Sequence, residues 1–221
     1  MNLFMMRRNI LVIFLAFFMI DVFGQIPVEV FAGHQKTTID IMFFKYFKNK
    51  QKENSKFLFF NRNRTSLDYE LTSSTILPQF GFTEAISYSA PALKGFAPVT
   101  VAQILNRGTY AKAGIQYAHI KKELTIFSWV VMETTSKPTI DVFMLVRYTP
   151  KLTERLNLFT QIESINAFPT ESNGLRNLIQ RIRLGLKMTD WQFGAGGDFS
   201  QSGNTTYSAL SNLGIFLRHE F

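Results

Sequence analysis

From Gln25 to its C-terminus the chain alternates apolar and polar side chains, and nothing in that span holds 18 uninterrupted apolar residues. Ile140, Val142, Met144, Val146 and Tyr148 share one face, with Asp141, Phe143, Leu145 and Arg147 on the other. In Ile179–Lys187 the residues Ile182, Leu184 and Leu186 oppose Arg181, Arg183, Gly185 and Lys187. At the end, Leu213, Ile215, Leu217, His219 and Phe221 oppose Asn212, Gly214, Phe216, Arg218 and Glu220. A repeat of two is the strand repeat, because successive side chains point to opposite faces. Such alternation fits a soluble sandwich as well as a closed membrane barrel. Length separates the two. These stretches run to about 10–14 residues, longer than most soluble strands and suited to tilted strands that cross a bilayer.

Counted back from the C-terminus, the pattern gives strands at 208–221, 191–200, 174–187, 153–166, 138–148 and 123–133. It continues with 109–119, 95–105, 78–89, 55–69, 37–48 and 27–34. About twelve strands result, and an even number returns both ends to one side, as single-chain bacterial barrels require. If 27–34 runs into 37–48, the count falls to ten. Turn signals at Asn49–Asn54, Ala90–Lys94, Lys121-Lys122, Thr149-Pro150-Lys151 and Thr189-Asp190 mark short connections on one side. Longer polar stretches at Glu70–Leu77, Ala167–Asn173 and Gln201–Tyr207 mark the other. The predicted fold is all-β: a closed antiparallel transmembrane β-barrel of about twelve strands, with ten as the alternative.

The first 24 residues read as a secretory signal peptide. Arg7 and Arg8 form the positive region, Ile10–Ile20 is an uncharged apolar run of 20 − 10 + 1 = 11 residues, and Gly24 is a small residue at the cut. An N-terminal membrane anchor is the alternative. Cleavage there leaves residues 25–221 as the barrel, with 24 − 2 = 22 basic and 16 − 1 = 15 acidic residues, a net charge of +7. The absence of cysteine excludes a disulfide framework, a thiolate metal site and a cysteine nucleophile. With 46% hydrophobic residues the chain is too apolar for disorder.

Aromatic residues support a membrane setting. Phe43, Phe44, Phe47, Phe57, Phe59, Phe193 and Phe199, with Trp129 and Trp191, cluster near the proposed strand ends. Rings at headgroup depth form the belts of membrane barrels; ordinary core aromatics are the other reading.

The last ten residues carry a polar residue at Asn212, a glycine two later at Gly214, an apolar residue at Leu217 and a final aromatic at Phe221. This resembles the closing strand of Gram-negative outer-membrane β-barrels, with His219 departing from the apolar residue commoner at its place. The resemblance implies an assembly signal read by the barrel-assembly machinery, pairing of the last strand with the first, and export to the outer membrane. Outer-membrane lipids and lipopolysaccharide follow as surroundings. The chain as a whole is similar to small porin-like barrels, a likeness that implies no particular solute. A count of twelve is shared with nucleoside-channel-type porins and the outer-membrane phospholipase, which is an analogy of number alone.

Charges facing lipid near the midplane cost roughly 2–4 kcal/mol for Arg or Lys, so those on the strands are assigned to the interior. Inward positions are Arg62, Arg64, Lys112, Arg147, Arg181, Arg183 and Arg218, against Asp40, Asp68, Asp141, Glu163, Asp198 and Glu220. Two readings remain open: a polar passage that favours small anionic solutes, or a lumen filled by Arg–carboxylate pairs. Arg181 and Arg183 with Asp198 and Glu220 lie on three consecutive strands and form the leading cluster.

Enzymatic signatures are weak. His34, His119 and His219 are the only histidines, and none has a hydroxyl nucleophile at motif spacing. Gly194-Ala195-Gly196-Gly197 precedes no helix and lacks the Lys-Ser/Thr of a phosphate loop. No metal-ligand spacing is present, and no cofactor is implied. The basic residues are dispersed, unlike a nucleic-acid footprint. The expected function is a non-enzymatic, porin-like channel for passive diffusion of small hydrophilic solutes. A non-conducting structural or partner-docking barrel is the alternative, and a lipid-modifying barrel using His219 or His119 a third.

Overall fold

The computed structural model describes residues 26–70 and 78–221. The leader 1–24 and most of the Glu70–Leu77 stretch lie outside these residues. The described chain forms twelve strands: β1 Pro27–Gly33, β2 Lys36–Lys48, β3 Asn54–Asp68, β4 Gln79–Tyr88, β5 Phe96–Leu105 and β6 Gly108–Ile120. The remainder are β7 Leu124–Glu133, β8 Thr139–Tyr148, β9 Asn157–Pro169, β10 Arg176–Met188, β11 Trp191–Gly203 and β12 Tyr207–Glu220. Each pairs antiparallel with its sequence neighbours, and β1 pairs with β12 to close the barrel. Closure leaves no free edge, so every strand finds two partners for its backbone groups.

Twelve strands stand where the alternation places them, and ten is ruled out because His34–Gln35 separates β1 from β2. The largest shift is β9, expected at 153–166. Leu152 and Thr153 donate backbone hydrogen bonds to the Leu156 carbonyl, and Asn157 Nδ2 donates to the Thr149 carbonyl, so 152–156 folds as a turn. The strand instead continues to Pro169, which pairs with Thr139.

The expected inequality of the connections is not found. Those at the end that holds the termini span 49–53, 89–95, 121–123, 149–156 and 189–190, and those at the other end 34–35, 69–78, 106–107, 134–138, 170–175 and 204–206. Ala167–Pro169 and Gln201–Gly203, assigned to loops for their polarity, extend the β9 and β11 ladders instead. Polar residues are compatible with a strand wherever the ladder runs beyond the apolar zone.

Alternation around the closed sheet gives an apolar outer face. Phe43, Phe47, Phe57, Phe59, Tyr88, Phe96, Tyr117, Tyr148, Trp191, Phe193 and Phe221 all point outward near the terminus end. Phe80, Phe82, Phe168, Phe199 and Tyr207 form a sparser set toward the other end. Two residues assigned to these belts turn the other way. Phe44 and Trp129 occupy inward positions of β2 and β7 and join the interior cluster. Their parity decides the side, and both lie well inside their strands.

That cluster lies inside the barrel against β2–β8, with Met42, Leu58, Phe60, Phe127, Trp129, Val131, Phe143 and Leu145 at its centre. Phe60 stacks on Phe127 at 5.2 Å and 11°, and meets Trp129 edge-on at 5.1 Å. A smaller cluster of Phe31, Phe159 and Phe216 stands against β1, β9 and β12.

Candidate functional site in the barrel interior

The charges run round the interior from β9–β11 through the closure to β2 and β3, where they border the aromatic cluster. Arg62, inward on β3, donates from Nε to Asp40 Oδ1 at 3.2 Å and makes a second, shorter contact with Asp40 Oδ2. Its Nη1 reaches across the lumen to Glu163 on β9 at 2.7 Å. Arg64 joins Asp40 at 3.1 Å to Asp198 on β11 at 2.6 Å. Arg181 contacts Glu163 at 3.3 Å and Asp198 at 3.7 Å, and Arg183 bridges Asp198 and Glu29, each at 2.9 Å. Four guanidiniums and four carboxylates thus tie β1, β2, β3, β9, β10 and β11 together inside the barrel. Gly196 makes room for this on β11, since a Cβ there would meet the Arg183 side chain at 2.8 Å.

A separate group of three stands across the interior. Lys112 on β6 contacts Asp141 on β8 and, at 3.4 Å, Glu133 on β7. Nearer the termini, Lys187 meets Glu220 at 2.5 Å. Gln161 Oε1 accepts from Arg147 Nε at 2.8 Å and from Arg218 Nη1 at 3.3 Å. Arg147 Nη2 and Arg218 Nε and Nη2 find no hydrogen-bond partner among the described residues.

All eleven interior residues named from the sequence, Arg62, Arg64, Lys112, Asp141, Arg147, Glu163, Arg181, Arg183, Asp198, Arg218 and Glu220, take inward positions. The leading cluster needs one correction. Arg181, Arg183 and Asp198 do meet, but Glu220 lies further toward the termini and pairs with Lys187. Glu29 on β1, across the barrel closure, takes the place assigned to Glu220. Glu29 was legible only as an inward position of the shortest strand, and Gln161 only as a neutral residue beside Glu163.

Together these groups divide the interior. Every strand supplies at least one inward side chain that is less than a tenth exposed, including Phe31, Asp40, Arg62, Thr83, Val101, Lys112, Phe127, Phe143, Glu163, Arg183, Gln192 and Phe216. On one side of this septum a cavity of about 920 Å³ opens away from the termini, with Phe60, Trp129 and Phe143 among its floor residues. Its charged lining comprises Lys36, Arg62, Arg64, Arg107 and Arg181 against Asp68, Asp141 and Asp198, five basic to three acidic. On the terminus side a smaller cavity of about 330 Å³ is lined by Lys121, Lys122, Arg147 and Lys187 with Glu123 and Glu220.

The residues named as an assembly signal lie at the closure. Asn212 Oδ1 accepts from the Gln35 and Lys36 backbone amides at 2.9 and 3.3 Å, and its Nδ2 donates to the Lys36 carbonyl at 3.0 Å. Gly214 pairs with Gly33, where a Cβ would collide with the Ala32 carbonyl and the Gly33 Cα. Leu217 faces outward opposite Val30, and Phe221 exchanges backbone hydrogen bonds with Ile26. His219 is outward as well, packed between Trp191 at 4.3 Å and Phe221 at 4.4 Å.

A closed twelve-stranded antiparallel barrel with an apolar, belted exterior and a charged interior has the fold of the outer-membrane β-barrels. The NanC porin shares it, with a TM-score of 0.50 at 7% identity over 90% of this chain and 98% of that one. The KdgM porin gives 0.49 at 8% identity, over 89% and 99% of the two chains. The translocator domain of the autotransporter NalP from Neisseria meningitidis gives 0.35 at 10% identity, over 98% and 95%. No protein-family description matches the sequence, and no curated protein matches it.

Proposed function

We propose that this chain, freed of a signal peptide at 1–24, is an outer-membrane barrel that acts as a porin-like channel for small hydrophilic anions. The cavity of about 920 Å³ carries the reading, because its charged lining is five basic side chains to three acidic. A basic mouth between low-dielectric walls raises the local concentration of anions. With the termini on the periplasmic side, that mouth faces the exterior. Solute then meets the septum, whose polar half is a set of ion pairs that an arriving anion can compete for. The barrel therefore conducts weakly at rest, without chemistry of its own. Assembly-machinery recognition of Asn212, Gly214, Leu217 and Phe221 and contact with lipopolysaccharide belong to the same proposal.

The septum itself favours a second reading, a non-conducting barrel that serves as a structural or docking element. Single-channel recording of the refolded mature chain in planar bilayers under a salt gradient separates the two. Discrete small openings with a reversal potential shifted toward anions support the channel. A folded, heat-modifiable barrel that stays silent supports the sealed one.

A further inference from the structure

The larger cavity has two unlike walls. Register sets Phe143 on β8 beside Ile165 on β9, and Ile165 beside Ile179 on β10. The same row continues through Ser200 on β11 to Leu210 on β12. All five residues point inward and line the cavity, and four of the five are apolar. Phe143 belongs to the interior aromatic cluster and Ile165 packs against it, so that end of the row is dry. Ile179 is only partly buried, and Leu210 is 58% exposed although it shares the inward parity of Asn212. The facing wall is polar, with Ser66, Thr83 and Gln103 on β3–β5. A basic corner adjoins the row. Arg181 is the next inward residue after Ile179, and its Nε has no hydrogen-bond partner among the described residues. Asn212, next inward after Leu210, grips the Lys36 backbone, and Lys36 stands within electrostatic reach of Arg64 and Arg181.

We infer that this cavity is a binding site for organic acids with an apolar flank, the carboxylate in the corner of Lys36, Arg64 and Arg181 and the flank along Ile179 and Ile165. The inference rests on the anion reading given above and narrows it to one class of anion. An inorganic anion finds no partner on an apolar row. A solute with a hydrocarbon flank gains roughly 25 cal/mol for each Å² it removes from water there. Small-molecule sites combine an apolar lining with a few fixed polar groups, in cavities of about 300–1,000 Å³. The cavity of about 920 Å³ falls in that range, and its polar groups gather at one end of the row. A sugar acid fills the basic corner equally well but leaves Ile165 and Ile179 against its hydroxyl groups.

The test is a methyl NMR titration of the mature chain refolded in nanodiscs and labelled at the isoleucine δ-methyls. The probes are benzoate, glucuronate as a carboxylate without an apolar flank, and benzamide as the flank without a charge. Ile165 and Ile179 report the site, and Ile115, outward and 62% exposed, reports partition into lipid. Benzoate is expected to shift the two site methyls with a midpoint about tenfold below that of glucuronate, and benzamide to give no saturating shift. Ile179→Ser with Leu210→Ser, read at Ile165, brings benzoate to the glucuronate midpoint, and Lys36→Gln raises the midpoints of both acids. Leu210→Ser alone, at an exposed position, raises the benzoate midpoint and serves if the double variant loses its heat-modifiable mobility. Equal midpoints for benzoate and glucuronate, equal midpoints for benzoate and benzamide, or shifts confined to Ile115 overturn the inference. Planar-bilayer recording on the same preparations tests the channel separately. A barrel that conducts chloride without preferring benzoate keeps the channel and loses the site. A silent barrel that binds benzoate ahead of glucuronate keeps the site and loses the channel, and one that binds neither acid overturns both.

Discussion

Asn212 holds Lys36 by both backbone groups. Its Oδ1 accepts from the Lys36 amide at 3.3 Å and its Nδ2 donates to the Lys36 carbonyl at 3.0 Å, although 176 residues separate the two. A third bond, from the Gln35 amide at 2.9 Å, completes the grip on the β1–β2 turn. This is the point where the last strand to be made meets the first. Asn212 is 2% exposed, so water does not replace what its removal would take away. Asn212→Ala should lower stability by about 2 kcal/mol, from the loss of buried bonds to backbone amides. The mid-temperature of the shift in gel mobility of the folded barrel measures it, and Ser202→Ala, at an exposed position of β11, is the control expected to change it little.

Arg62 is the hub of the interior network, bound to Asp40 on its neighbour strand and to Glu163 across the lumen. Replacing it with Met takes one of two guanidinium partners from each carboxylate, leaving Asp40 with Arg64 and Glu163 with Arg181. A loss of about 3 kcal/mol, the lower end for a broken buried pair because each carboxylate keeps one cation, is expected in urea unfolding from lipid. The triple variant Arg62→Met, Asp40→Asn, Glu163→Gln removes all three charges but leaves Arg64 and Arg181 to share Asp198, so it should recover only part of that loss.

Much of this molecule is written in its alternation, and what is missing has a physical reason. Parity alone puts Arg181, Arg183 and Arg218 inside, because each lies one step from an outward apolar residue. Parity also decides the side an aromatic residue takes, which is why Phe44 and Trp129 belong to the interior. Partners across the lumen are another matter. Arg62 and Glu163 are 101 residues apart and on strands that are not adjacent, so their meeting depends on barrel diameter and tilt. Arg183 finds Glu29 for the same reason, through closure of β1 on β12 and not through any local pattern. Glu84 is the converse case: a charge whose parity is outward and which a rule assigning charges to the interior passes over.

Phe60 and Phe127 are 2% and 0% exposed and stack at the centre of the septum. Truncating both to Ala removes the stacked pair at the centre of the β2–β8 half of the lumen, leaving Trp129 and Phe143 beside it. Each truncation costs about 3–5 kcal/mol if the site does not collapse. Where the double variant still folds, its unit conductance should exceed that of the unaltered barrel. Single-channel recording on heat-modifiable protein tests this. A folded variant with no increase would show that the ion-pair wall, and not the aromatic one, closes the lumen.

Selectivity should follow the rim of the larger cavity. Lys36 and Arg107 line it, and neither side chain belongs to the interior ion-pair network. The Asn212 grip on Lys36 uses backbone groups alone, so the side chain can change without disturbing the closure. Lys36→Glu with Arg107→Glu turns five basic and three acidic lining residues into three and five. The zero-current potential in a potassium chloride gradient should move from the anion side toward the cation side, with the gel-mobility transition unchanged. Raising salt should shrink the difference between variant and parent, because charges at a wet mouth are screened over about 10 Å at 0.1 M. A reversal potential indifferent to both substitutions would place selection deeper, at Arg64 and Arg181, where the same charge reversals also break Asp198 pairs and cost stability.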